Sequence, residues 1–315
     1  MEYERELILP LHVLRTDRRR CLFPNAPVRW ESQGRCAGFM KGWWFDEFQG
    51  DGILAFFGAP LAAADDPGRA VACAIEMQRA IARMNEEQRR LGLPELQIGV
   101  GVNTGEVIVG NIGSETRTKY GAVGSAINLA YRIESQTVGG QVLVGPNTFE
   151  RVRAMVKVRR TVEAHLKGFD APLTLYDVVG MDGPYAVALP DAATVTLVRL
   201  STPLPVTCFP IDGKRVSGSG VSGRITELSE SGAVACLGEP VERGDNVRIV
   251  LDGSHLAEVV DEPAVEELEL YAKVVSVHPG HAGPGGIATS LVFTSLSSSA
   301  RRALDQARDF AAHPA

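Results

Sequence analysis

A few polar residues stand out in this sequence by type and spacing. Asp51 lies between Gly50 and Gly52, just ahead of an apolar run at 53–57. A carboxylate on such a glycine-flanked turn can reach a cation while its backbone packs closely on a neighbouring strand. The same Asp-Gly pair also suits a plain hairpin turn. Asn128 and Arg132 are four positions apart, so they project from one face of one helix. The planar donor fork of arginine matches phosphate oxygens, although both residues are equally at home on a solvated face. Lys167 sits in the turn-like Leu166-Lys167-Gly168-Phe169, where a lysine is ordinarily solvated. In Glu227-Leu228-Ser229-Glu230-Ser231-Gly232 the serine can bond local backbone and the glycine can take a positive φ. His278 and His281 have no third metal ligand near them and read as a solvated loop.

These residues need elements to hold them. Residues 1–42 hold Arg15, Arg18, Arg19 and Arg20, Pro24 and Pro27 and no sustained period of 2 or 3.6, so they are expected to form an irregular segment. From residue 43 the pattern becomes regular. A buried strand is expected at 53–57. Asp65-Asp66-Pro67 then starts a helix whose inner face carries Val71, Ala74, Ile75, Ile81 and Ala82 and which closes near Gly92 and Pro94. Strands are expected at 96–102 and 106–109, joined by Asn103-Thr104-Gly105. A loop, a helix at 125–135, a strand at 141–144, a short helix at 146–152 and strands at 156–164 and 173–179 follow. This alternation predicts an α/β sandwich. Residues 181–194, rich in proline and glycine and without period, read as a linker. Beyond it, runs at 195–200, 206–209, 223–228, 233–237, 247–251, 268–277 and 288–293 predict a small antiparallel barrel. A helix capped by Ser298 or Ser299 closes the chain.

Three blocks occur in order: Phe48-Gln49-Gly50-Asp51-Gly52-Ile53-Leu54-Ala55-Phe56-Phe57-Gly58, then Ile98-Gly99-Val100-Gly101-Val102-Asn103-Thr104-Gly105-Glu106-Val107-Ile108-Val109-Gly110, then Val123-Gly124-Ser125-Ala126-Ile127-Asn128-Leu129-Ala130-Tyr131-Arg132-Ile133-Glu134. Together they resemble the class III nucleotidyl cyclases over residues 43–180. The resemblance implies an α+β, ferredoxin-like sandwich that converts a nucleoside triphosphate, ATP ahead of GTP, to its 3′,5′-cyclic form and pyrophosphate. In that family Asn128 would orient the ribose and Arg132 would stabilise charge on the α-phosphate. Lys167 would neutralise the terminal phosphates, and Asp51 would be one of two aspartates that hold two Mg2+ or Mn2+ ions. The metal aspartates and the Asn/Arg pair come from different subunits, so the resemblance also implies a homodimer.

This chain departs from the family pattern at its start. The opening strand, with its aspartate and phosphate-holding turn, has no clear counterpart; the nearest acid is Asp17, 34 residues before Asp51. The sheet is therefore expected to lack a central strand. The base-reading positions are Glu47, which resembles guanylate cyclases because a carboxylate accepts from guanine N–H groups, and Gly121, which has no side chain to read anything. Ser125 stands where an aspartate is common.

The later segment, 195–312, resembles a PilZ domain, a barrel that often binds cyclic di-GMP. Its turn reads Glu227-x-Ser229-x-x-Gly232 in place of the family's Asp/Asn-x-Ser-x-x-Gly, and the usual arginine pair is reduced to Arg199. Arg199, Ser229 and Gly232 are the residues the resemblance assigns to the ligand, although two arginines ordinarily stack on its guanines. A cyclase with a PilZ-like regulatory barrel is the leading reading. A non-catalytic dimerisation module, coupled to a barrel that binds cyclic di-GMP or a protein, is its rival.

Composition bounds both. Across 315 residues, 45% are hydrophobic and 22% charged, which suits folded domains rather than disorder. A net charge of −6 argues against a nucleic-acid coat protein. No apolar run approaches the roughly 20 residues of a membrane span, the acidic start is not a secretory signal, and five scattered cysteines fit a reducing compartment. A cytoplasmic location is expected.

Overall fold

The computed structural model describes residues 3–10, 43–49, 52–59, 62–91, 96–114, 117–169, 171–190, 196–212, 215–216, 219–252, 267–278 and 286–312. Asp17, Asp51 and His281 lie outside these residues, and Glu47 is described in its backbone only. The chain divides into two units, Met1–Asp191 and Ala192–Ala315.

The first unit runs β1 (Tyr3–Pro10), β2 (Trp43–Gln49), β3 (Gly52–Phe57), α1 (Asp66–Arg90), β4 (Val100–Ser114), β5 (Arg117–Val123), α2 (Ser125–Ser135), β6 (Val142–Val144), α3 (Pro146–Val152), β7 (Val156–Ala164), β8 (Leu173–Met181) and β9 (Val187–Ala188). The sheet order is β2-β3-β1-β4-β6-β8-β7, with β5 paired to β4 and β9 to β8; β4 and β6 run parallel. Strand alternation divides the core between the two faces. Ile53, Phe57, Val100, Val102, Val142 and Val144 pack against α1 and α3. On the other face, Leu54, Phe56, Val107 and Val109 meet Ala126, Ile127 and Ala130 of α2, while Leu143 and Leu175 meet Ile133.

Three sequence expectations change here. Tyr3–Pro10 fills the central position that the sequence left without a candidate, pairing antiparallel with β4 (Ile8 opposite Thr104) and with β3 (Ile8 opposite Phe57). Its charges, Glu4, Arg5 and Glu6, hide the apolar pattern of an inner strand. Asn103-Thr104-Gly105 is not a connection, since β4 runs unbroken from Val100 to Ser114. The expected loop before α2 is β5, which with β4 forms a long hairpin (Val109 opposite Ala122).

The second unit comprises β10 (Val198–Asp212), β11 (Arg215–Val216), β12 (Val221–Leu228), β13 (Gly232–Leu237), β14 (Asn246–Asp252), β15 (Glu267–His278), β16 (Ile287–Leu296) and α4 (Ser298–Ala312). The order β10-β12-β13-β16-β15-β14 returns to β10 through the β10–β14 pairing, so six antiparallel strands close a barrel. Closure removes the exposed edges that invite misassembly. Inward residues Val206, Cys208, Ile225, Ile249, Leu270 and Phe293 form its core together with Ala300, Ala303, Leu304 and Ala307 of α4. Burial pushes the Cys208 thiol up to about 12. The two runs expected at 195–200 and 206–209 are one strand, β10, interrupted by a register shift between Arg199 and Leu204; Pro203 falls in that bulge, where no ladder N–H is needed. The cap of α4 is Ser297 rather than Ser298 or Ser299: its Oγ accepts from the Ala300 amide at 3.0 Å. Among the described residues no helix is long and apolar enough to cross a membrane.

Back in the first unit, the Tyr185 hydroxyl donates to the Asp65 carboxylate and ties the Gly183–Tyr185 turn to the start of α1. That bond holds Asp65 below its ordinary 3.8 and raises Tyr185 above its ordinary 10.0. A raised phenol stabilises the fold fully below its unfolded value and ceases to do so as pH climbs through the folded one. The lowered carboxylate contributes above its unfolded value and fades as pH falls through the folded one. In a phenolate absorbance titration, Asp65→Ala is expected to bring one tyrosine back toward 10.0; an unchanged titration curve contradicts the bond.

Candidate active site

The element that matters most is α2, and its seat is written into β4. Four alternating residues, Gly99, Gly101, Asn103 and Gly105, face it. A Cβ at Gly101 would stand 2.5 Å from the Glu134 amide nitrogen and 2.9 Å from the Ala130 carbonyl oxygen. One at Gly105 would stand 2.6 Å from the Ala126 Cβ, and one at Gly99 would stand 2.7 Å from the Thr137 Cβ. Between these, Asn103, only 1% exposed, donates from Nδ2 to the Ala126 carbonyl at 2.9 Å. The spacings agree: the four steps of strand from Gly101 to Gly105 cover roughly 13 Å and the eight steps of helix from Ala126 to Glu134 roughly 12 Å. The helix therefore lies directly on the strand along most of its length.

That contact fixes what points away. Ala126, Ile127, Ala130 and Ile133 are buried; Asn128 is exposed and Arg132 half-buried on the outer face. Ile133 shares a core with Leu166, which anchors the Lys167-Gly168-Phe169 turn beside the helix. The Phe169 amide bonds the Leu166 carbonyl at 3.0 Å and Gly168 has φ +82°. The Arg132 guanidinium rests 5.8 Å above the Phe169 ring, and a Cβ at Gly168 would stand 3.1 Å from its Nη1. Arg69, Arg79, Arg83, Arg159 and Arg160 all pair with carboxylates. Arg132 has no carboxylate partner among the described residues. A half-buried guanidinium left without an internal anion, beside an exposed lysine, is suited to phosphate oxygens.

Other sequence-assigned residues sit elsewhere. Glu47 is on β2 opposite Leu54, and Gly121 is on β5 opposite Gly110, where it is buried. Gln49 pairs with Gly52, and Asp51 between them lies outside the described residues, as does Asp17. The acids of β1, Glu4 and Glu6, precede Ile8 and so run away from the end of β3 that begins at Gly52. Among the described residues no group of three His, Cys, Asp or Glu could hold a metal ion. The described residues therefore do not make up a two-cation centre.

In the barrel, Arg199 stands opposite Glu227, two residues before Ser229, at one end of the β10–β12 pair. The Ser229 amide and Oγ both donate to the Gly232 carbonyl, at 2.8 and 3.1 Å. Gly232 does not take the positive φ expected of it; glycine is needed because a side chain would meet the Leu291 carbonyl of β16. His278 is exposed at the end of β15.

Comparison with known proteins bears on both units. Residues 47–180 match the family "Adenylate and Guanylate cyclase catalytic domain", and residues 198–308 match the PilZ domain. The chain carries a class III cyclase catalytic domain followed by a PilZ domain. "Adenylate cyclase 1" of Rhizobium meliloti (strain 1021) is 34% identical to the cyclase domain over 137 residues, 43% of this chain and 21% of that protein. The chain thus spans about a fifth of that relative's length. The adenylyl cyclase CyaB from P. aeruginosa is 26% identical, with a TM-score of 0.51 over 60% of this chain and all of its own. The guanylyl cyclase Cya2 is 38% identical over 60% of this chain and 98% of its own, with a TM-score of 0.49. Class III relatives use divalent metal ions.

Sequence reasoning singled out Asn128, Arg132 and Lys167 in the cyclase domain and assigned no part to Asn103 or Phe169. The period-two run of Gly99, Gly101, Asn103 and Gly105 was a visible signal for a helix lying against a strand. Phe169 had none, because its contact with Arg132 is tertiary. Gly101→Ala is expected to destabilise the domain by about 1–3 kcal/mol, since the new methyl meets helix backbone that has no rotamer to yield. Urea unfolding measures this, and a midpoint equal to the parent's would mean that α2 is not held by close approach.

Proposed function

We propose that the cyclase domain is catalytically competent as a homodimer, closing a nucleoside triphosphate onto its own α-phosphorus. The observation that carries this reading is the half-buried Arg132 guanidinium, which has no carboxylate partner among the described residues, beside the turn of Lys167. In the reaction the 3′-oxygen forms a bond to the α-phosphorus, the bond to the β-phosphate bridging oxygen breaks, and pyrophosphate leaves with the electron pair. The hydroxyl proton passes to solvent or to a phosphate oxygen. Negative charge grows on the α-phosphate oxygens, which a preorganised guanidinium stabilises more in the transition state than in the ground state. Asn128, one turn earlier on α2, orients the ribose, and Lys167 meets the terminal phosphates. A bound divalent ion, Mg2+ or Mn2+, would supply charge neutralisation at Asp51, with Asp17 as the second expected ligand.

The homodimer has support in the β4–β5 hairpin, whose Ile108, Ile112 and Val123 are exposed apolar residues, with Ile108 and Val123 directly paired. A second copy covering them would bury a stripe that a monomer leaves in water. ATP is the favoured substrate, supported by the names of the two adenylate cyclase relatives, whereas Glu47 suits guanine. A cytoplasmic location, where both nucleotides abound, belongs to the same reading. Protein given ATP or GTP with Mn2+ should form cyclic nucleotide. Asp51→Ala and Arg132→Ala should each lower turnover by at least about 100-fold, and mixing the two variants should restore part of it. Absence of product from either nucleotide would favour the rival, non-catalytic module.

The PilZ domain is read as the regulatory part, binding cyclic di-GMP at the barrel end that holds Arg199 and the Ser229–Gly232 turn. Calorimetric titration with cyclic di-GMP should release heat that Arg199→Ala removes. A flat titration of the parent protein sinks this reading and leaves the barrel structural.

A further inference from the structure

Resting on the cyclase reading of Arg132, we infer that Phe169 is a positioning residue that holds the Arg132 guanidinium in the orientation the reaction uses. The side chain of arginine has four rotatable bonds and loses much entropy when fixed, so a guanidinium meant for a developing phosphate charge needs a seat. Carboxylates seat the other paired arginines of this domain, but a carboxylate here would compete with phosphate for the same N–H donors. An aromatic face has no such cost. It attracts the cation through its quadrupole and leaves all five donors free for oxygens. Phe169 offers that face at 5.8 Å from the Arg132 Cζ.

The local chain is shaped for this contact. Leu166 is anchored in the core with Ile133, one residue from Arg132 on α2. The Phe169-to-Leu166 backbone bond closes the turn, and Gly168 at φ +82° reverses the chain without placing a methyl against the guanidinium, whose Nη1 lies 3.1 Å from where that methyl would be. Phe169 itself is 39% exposed, so core packing does not account for a large apolar side chain at this position. The same turn carries Lys167, so one seat sets the distance between both cations.

The test uses the full chain with Phe169→Leu, which keeps an apolar side chain but removes the ring, and Phe169→Tyr, which keeps the face. The leucine variant should lose about 5-fold in kcat with KM and Tm unchanged, and the tyrosine variant should recover the parent rate. An active parent with an equally active leucine variant overturns the inference, as does equal loss in both variants. Arg132 Nε–Hε resonances, assigned with Arg132→Ala, give a reading independent of turnover. They should move in the leucine variant and hold in the tyrosine variant, and an unmoved resonance in the leucine variant overturns the contact. If the parent forms no cyclic nucleotide, the cyclase reading fails on that result, and the positioning role is decided by the resonances alone.

Discussion

The close approach of α2 to β4 is the contact on which the arrangement of the cyclase domain depends. Helices normally stand about 10 Å from a sheet because side chains fill the gap. Here Gly99, Gly101 and Gly105 remove those side chains, and Asn103 replaces the lost apolar contact with a hydrogen bond to the Ala126 carbonyl. A helix pressed this close has little freedom to roll. The backbone positions of its outward residues, Asn128 and Arg132, are therefore set by this contact. The cost is a buried Asn103 Oδ1 with no hydrogen-bond partner among the described residues, a place where polar burial is tolerated for the sake of position.

The same rigidity passes to the Lys167 turn. Ile133 lies on the inner side of α2 and joins Leu143, Val162, Leu166 and Leu175 in one buried cluster. Helix, sheet and turn share that cluster, so Arg132 and Phe169 are brought together by apolar contacts that neither residue makes itself. On the opposite face of the sheet, α1 and α3 cover Val100, Val102, Val142 and Val144. The PilZ domain reaches rigidity by another route. Its strands close on themselves, and Gly232 lets β13 come against the Leu291 carbonyl where a side chain would force the strands apart.

Much of the fold was legible in local pattern. The helices at Ser125–Ser135 and Pro146–Val152 and the strand at Val156–Ala164 coincide with their predicted limits, and for the two helices Gly124 and Pro146 mark the starts. The reading failed where a residue's meaning was set by a distant partner. Gly105 looked like a turn glycine and is a close-approach glycine. The runs at 195–200 and 206–209 looked like two strands and are one, with Pro203 in the bulge between them. Tyr3–Pro10, with three charged residues, looked unfit for a sheet interior, yet β3 and β4 flank it on both sides.

Sequence alone determined the two-unit order, the cyclase and PilZ resemblances, and the four-residue spacing that puts Asn128 beside Arg132. Each of these is a property of composition, period or order along the chain, and so survives without coordinates. Only the tertiary structure decided that β1 lies between β3 and β4, that β10 closes a barrel with β14, and that Arg132 rests over Phe169. Those facts join residues far apart in the chain. Pairing across such distances is selected by burial and hydrogen-bond satisfaction over the whole molecule, which no local window of residues records.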